Sequence, residues 1–240
     1  MAEPKRLTPD DVALVRGILI FEDADLMAFN KPAGLSSQGG RIAAPTLDDL
    51  LAVFAKASGV RPRLVHRLDR DTSGVILAAR SQPAAAFLGQ AMMTRRVRKT
   101  YLAIVGPGAP EPMSGVIQSA LARQDIGREA HVRVVQPDAV GAKAAFTRYR
   151  TLASDDAAAI VELSPRTGRM HQLRVHLASI GRPIVGDARY GGQLMLHGEP
   201  APRLMLHALA LTFPHPAGGE RTIEAPPPTD FVSLAARIGA

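Results

Sequence analysis

One nine-residue stretch concentrates the groups that could do chemistry: His66-Arg67-Leu68-Asp69-Arg70-Asp71-Thr72-Ser73-Gly74. Two carboxylates stand there among His66, Arg67 and Arg70, in a polar turn between apolar segments. Asp71-Thr72-Ser73-Gly74 reads as an ordinary Asx or Ser/Thr turn feeding the next strand. Asp69 fits that reading less well, because it follows a short apolar strand and has an arginine on either side. An anionic aspartate set among guanidinium groups is a candidate nucleophile.

A second set is Thr167-Gly168-Arg169-Met170-His171-Gln172-Leu173-Arg174. On a helix, His171 and Arg174 lie three apart and share a face away from the Met170, Leu173 and Leu177 stripe. Thr167 and Gly168 mark a helix start whose free N–H groups suit a phosphate or carboxylate. The plainer reading is a solvated polar face. His171 and His176 are five apart, a poor spacing for shared metal ligation, and no third ligand is near. The third set is Arg95, Arg96, Arg98 and Lys99 leading into Tyr101, one of three tyrosines. A ring beside a basic track can hold an unstacked nucleobase. The alternative is a tyrosine half-buried in a strand.

The elements that must position these groups follow from period and turn chemistry. Strands are expected at 18–22, 26–30, 63–66, 75–79, 99–105, 132–135, 144–150, 158–163 and 204–213. Helices are expected at 47–57 behind Thr46, at 81–94 behind Ser81 with Pro83 in the first turn, at 169–180, and at 231–238 behind Thr229. Residues 31–44 read as a Gly, Ser and Pro loop, and the Pro-Gly stretch 106–115 as the best linker candidate. Residues 1–17 form a polar lead-in and 18–240 one catalytic domain. Strands and helices mix without strict βαβ alternation, so the fold class is α+β.

Composition bounds the partners. The 240 residues, 46% hydrophobic, suffice for a substantial core, and 40 glycines and prolines favour many turns over a helical bundle. With no cysteine, disulfides and thiolate–metal sites are excluded. No signal peptide or membrane span is evident, so a soluble cytoplasmic protein is expected. The net charge is +7, and 24 of the 29 basic residues are arginine. Residues 61–99 hold nine basic and two acidic side chains, a local excess of +7. Such a field suits a polyanion.

Taken together, the segments resemble the RluA-like family of pseudouridine synthases. The resemblance rests on His66-Arg67-Leu68-Asp69 followed by Thr72-Ser73-Gly74, with Asn30-Lys31-Pro32-Ala33-Gly34-Leu35 upstream. Lys99-Thr100-Tyr101, Thr167 through His176, Gly186-Asp187 and Leu206-His207-Ala208 lie downstream. It spans about residues 18–228. It implies a long mixed, mostly antiparallel sheet flanked by helices, with an RNA-binding cleft. It implies that Asp69 is the nucleophile, that Arg67 enters the space of a flipped nucleotide, and that Tyr101 stacks on the uracil. It also implies that Arg174 pairs with the catalytic carboxylate. Further RNA contacts are expected from His66, Arg70, Lys99, Arg169 and His171. Where many members carry Val-His-Pro-Gly, this chain has Ser36-Ser37-Gln38-Gly39-Gly40. Only about 15 residues precede the first motif, as in the short branch without an S4 domain. The expected substrate is a stem-loop of ribosomal or transfer RNA, acted on by a monomer without metal or cofactor. Two rivals are a non-catalytic RNA-binding module and a glycosidase or nucleosidase using Asp69 and Asp71.

Overall fold

The computed structural model describes residues 7–39, 44–126 and 129–239. Thr8 opens α1 (Pro9–Gly17) through a capping box in which it and Asp11 each bond the other's backbone N–H. Strands β1 (Leu19–Glu22) and β2 (Leu26–Lys31) follow. Then come α2 (Leu47–Leu50), which tightens into a 3₁₀ turn over Leu51–Phe54, β3 (Arg63–Leu64), β4 (Ser73–Ala79) and α3 (Gln82–Met93). The chain continues through β5 (Arg98–Val105), β6 (Ser114–Ile126), β7 (Glu129–Val135), β8 (Lys143–Ser154), β9 (Ala159–Pro165) and α4 (Gln172–Ser179). A small hairpin of β10 (Met195–Leu196) and β11 (Glu199–Pro200) precedes β12 (Leu206–Pro214), β13 (Glu220–Glu224) and α5 (Thr229–Ala235).

The chain forms two compact units: Met1–Val97 with Ala208–Pro227, and Arg98–His207 with Pro228–Ala240. In the first, β2 lies antiparallel between β1 and β4, β3 pairs with the other side of β4 over two residues, and β12 pairs with β13. All seven residues of β4 are buried, including the apolar run 75–79 that marks it as an interior strand. α3 packs on β4 and buries Ala84, Leu88 and Ala91. In the second unit the strand order is β5-β9-β8-β6-β7, antiparallel throughout. Its inner face carries Ile117, Tyr149, Val161 and Leu163, packed with Leu173 and Leu177 of α4. The fold is α+β, as expected.

Several expectations need correction, among them the last helix, which runs Thr229–Ala235 with Thr229 inside it and not capping it. The lead-in holds α1, signalled by Thr8, Pro9 and Asp11. The helix expected at 47–57 ends by Phe54, where Ala55 turns extended. Residues 106–115 are no linker, since they join β5 to β6 inside one unit. The helix expected from 169 starts at Gln172, because His171 adopts a left-handed conformation (φ 51°) just before it. Residues 40–43 of the expected 31–44 loop lie outside the described residues.

Candidate active site

Asp69 sits on a turn closed by the Thr72 N–H donating to the Asp69 carbonyl at 3.1 Å. The backbone on both sides of it is held by a loop more than thirty residues earlier. The Ser37 hydroxyl donates to the Leu68 carbonyl (2.7 Å) and accepts from the Leu68 N–H (3.1 Å). The Lys31 ammonium is fully buried and donates to the carbonyls of Pro32 (2.9 Å), Leu35 (2.8 Å) and Arg70 (3.0 Å). The Gly34 N–H returns to the Arg70 carbonyl at 2.9 Å, and Arg70 Nε donates to the Gly34 carbonyl at 3.1 Å. A charge can be buried only when polar groups replace its water, and three carbonyls do so here. The turn is also shaped by Gly74, at φ 116°, where any Cβ would collide with the backbone of Ala208.

Within this frame the Asp69 side chain is partly buried and that of Arg67 is exposed. His66, expected as an RNA contact, is partly buried and has a backbone partner. Its Nε2 accepts from the Leu77 N–H at 3.0 Å, so that nitrogen is unprotonated and the ring neutral. β3 ends at Leu64, and the ring supplies the acceptor that the next rung on β4 needs. His66 therefore shapes the turn. Arg70 is exposed, but its Nε is committed to the loop.

In the second unit, Tyr101 lies on β5 opposite Leu163 of β9, half-buried and packed against the core. Lys99, two residues earlier on the same face of the strand, is partly buried, and burial pushes its ammonium below the usual lysine range. It is a desolvated cation and not a fully hydrated one.

The His171–His176 segment is tied into the sheet by its polar side chains. Gln172 uses its whole hydrogen-bonding capacity. Its Oε1 accepts from Thr167 Oγ1 (2.7 Å) and the Arg169 N–H (3.1 Å), while Nε2 donates to the Phe146 carbonyl and Thr147 Oγ1 (both 3.0 Å). His176, fully buried, links Thr147 Oγ1 (2.9 Å) to Ser119 Oγ (3.1 Å), and burial lowers its pKa from 6.5 to about 4. Thr167 and Gly168 thus lie ahead of the helix, which starts only at Gln172. Arg169 is exposed, with its Nε on the Ala144 carbonyl (3.2 Å), and His171 Nδ1 meets the Tyr190 hydroxyl at 2.8 Å.

Arg174 is buried and ion-paired. Its Nε and Nη2 bond Asp187 Oδ2 and Oδ1, both at 2.7 Å. A two-pronged carboxylate pairing of this arginine is made with Asp187. Asp187 is 1% exposed and Arg174 8%. Gly186 precedes Asp187 in a left-handed conformation (φ 80°), with the backbone of Arg203 where a Cβ would stand. Lys31, Ser37, Asp187 and Tyr190 are site-building residues to which the sequence reading gave no role. The first and third did belong to the segments that carried the resemblance.

The family model for RNA pseudouridylate synthase matches residues 25–179. A ribosomal large subunit pseudouridine synthase C from Yersinia pestis is 38% identical over 222 residues, covering 90% of this chain and 68% of its own length. An uncharacterised RNA pseudouridine synthase from Zymomonas mobilis is 38% identical over 217 residues, covering 90% of this chain and 96% of its own. The solved structure of human RNA pseudouridylate synthase domain containing 4 superposes with a TM-score of 0.80 at 28% identity, covering 95% of this chain and 96% of that one. Fold and matched span define an isomerase that acts on RNA. The chain belongs to the RNA pseudouridylate synthase family, and it converts uridine in RNA to pseudouridine.

Proposed function

We propose that Asp69 is the nucleophile of this isomerisation and that residues 18–240 work as one catalytic domain. The observation that carries the assignment is the double clamp of Ser37 on Leu68 and Lys31 on Arg70. It fixes the backbone on both sides of Asp69 and leaves the carboxylate partly exposed. A reacting group gains from being held before substrate arrives.

The reaction breaks the N1–C1′ bond of uridine, turns the base and joins C5 to C1′. Atoms and oxidation state are conserved, so no redox partner or external donor is required. The base must first leave its stack, at a cost of a few kcal/mol that is least in loops. A stem-loop of structured RNA is the substrate, and the names of relatives such as the Yersinia enzyme favour ribosomal RNA. Transfer RNA is the second choice. Arg67, exposed beside Asp69, fills the vacated space and meets phosphates. Tyr101 stacks on the everted uracil, and Arg174 acts as a cation held in one orientation. The enzyme works as a cytoplasmic monomer without a metal ion. Among the described residues no helix is long and apolar enough to cross a membrane.

Tritium release from C5-labelled uridine RNA tests the assignment. Asp69→Ala and Asp69→Asn are expected to lower the single-turnover rate by about 1,000-fold or more while RNA binding survives. Release at the wild-type rate by either variant would defeat it. Binding without release by the unmodified protein would favour a non-catalytic module, and free uracil in the products a nucleosidase.

A further inference from the structure

We infer that Asp187 and Tyr190 are positioning residues for Arg174, fixing the plane and direction of its guanidinium for the isomerisation. The inference rests on the reading that Arg174 takes part in that reaction.

The geometry is that of a holder. Asp187 accepts from four donors: Arg174 Nε and Nη2 at 2.7 Å each, the Arg189 N–H at 3.1 Å and the Tyr190 N–H at 3.2 Å. The carboxylate is thereby fixed by its own loop before it takes the arginine. The guanidinium lies over the Tyr190 ring, with Cζ 5.0 Å from the centroid. Tyr190 is anchored in turn. Its hydroxyl accepts from the Val132 N–H at 3.0 Å, bonds His171 Nδ1 at 2.8 Å, and the His131 ring meets it edge-on at 6.2 Å. The guanidinium is thus held by Asp187 along its Nε–Nη2 edge and by the Tyr190 ring beneath its cation, and Nη1 is the nitrogen that Asp187 does not take.

Stability alone explains this poorly. Burying two charges is expensive, and apolar residues of similar volume serve a core as well or better. What the ion pair offers beyond packing is a cation with one orientation. A carboxylate also holds a guanidinium in a plane that an ammonium would not share.

A double-mutant cycle separates positioning from mere support. Single-turnover tritium release at saturating RNA is measured for Asp187→Asn, Arg174→Met and the double variant, with RNA affinity and thermal midpoint for each. Asp187→Asn is expected to be about 100-fold slower, a typical loss when a preorganised charge is released. The double variant is expected to be no slower than Arg174→Met, since Asp187 acts only through the arginine. It buries no unpaired charge and so keeps the cycle readable if a single variant folds poorly. Tyr190→Phe keeps the ring and removes its anchors; it is expected to be about tenfold slower with RNA affinity within about threefold of wild type. Losses that multiply across the cycle, or Asp187→Asn at the wild-type rate, would overturn the inference. Full activity in Arg174→Met would remove the underlying role of the arginine as well, while leaving Asp69 to be judged by its own variants.

Discussion

Lys31 is a charged side chain with no exposure, and its ammonium is solvated by protein carbonyls instead of water. Its removal leaves three buried acceptors without a charged donor, which costs far more than the lost packing. Lys31→Met is therefore expected to destabilise the protein by about 3 kcal/mol in urea unfolding. It should slow tritium release as the Asp69 turn loses its tether. A stability change below about 0.5 kcal/mol with full activity would show that the clamp is not needed. At this scale the sequence revealed which groups are reactive but not which groups hold them. Asp69 stood out by its neighbours in the chain. The partner of Arg174 lies thirteen residues on, past a helix end and a tight glycine turn, and only the folded backbone brings Asp187 to it. His66 and His171 had the side-chain type of phosphate contacts. In the structure His66 bonds the Leu77 N–H of β4 and His171 bonds Tyr190.

Helix α4 is docked by hydrogen bonds as much as by its apolar stripe. Gln172 and His176 fasten it to β8 and β6 through Thr147 and Ser119. The pKa of His176 falls to about 4 from 6.5 on folding, so the folded state resists the proton. As pH drops below about 6.5 the unfolded chain protonates first. The contribution is therefore full above that pH, is lost between 6.5 and 4, and is constant below. The expected slope reaches about 1.4 kcal/mol per pH unit in that window. His176→Gln should lack this component when urea unfolding is compared at pH 4.5 and pH 7; identical slopes in the two proteins would refute it. The stripe of Leu173 and Leu177 made this helix legible. Its true start was not, because Gln172 folds its own amide back over the preceding turn. β6 was missed for a related reason: its inward side chains include the polar Ser119, bonded to His176, and alanines at 120 and 122 blur the alternation.

At the scale of the whole molecule, the concentrated charge of residues 61–99 is partly spent inside the protein. Arg61 pairs with Asp48 at 3.3 Å, Arg80 pairs with Glu22, and Arg63 donates to Gln82. Exposed Arg67 is the better candidate for a phosphate. Affinity for a target stem-loop is expected to fall steeply with salt. Arg67→Ala should reduce the slope of log affinity against log salt by about one. An unchanged slope would place that arginine outside the RNA footprint. The net charge of +7 pointed to a polyanion, and the family match agrees. The existence of two compact units could not be read from composition, because each is assembled from stretches of chain far apart.

The clamp around Asp69 has a practical corollary. Ser37 and Lys31 grip main-chain atoms of residues 68 and 70 and ignore the side chains of their neighbours. The address of the nucleophile is thus written mostly in backbone, with Arg70 adding its own bond to the Gly34 carbonyl, while the exposed side chain at position 67 has no share in that grip. A library diversified at position 67 could change how the enzyme meets its RNA loop without relocating its reactive carboxylate.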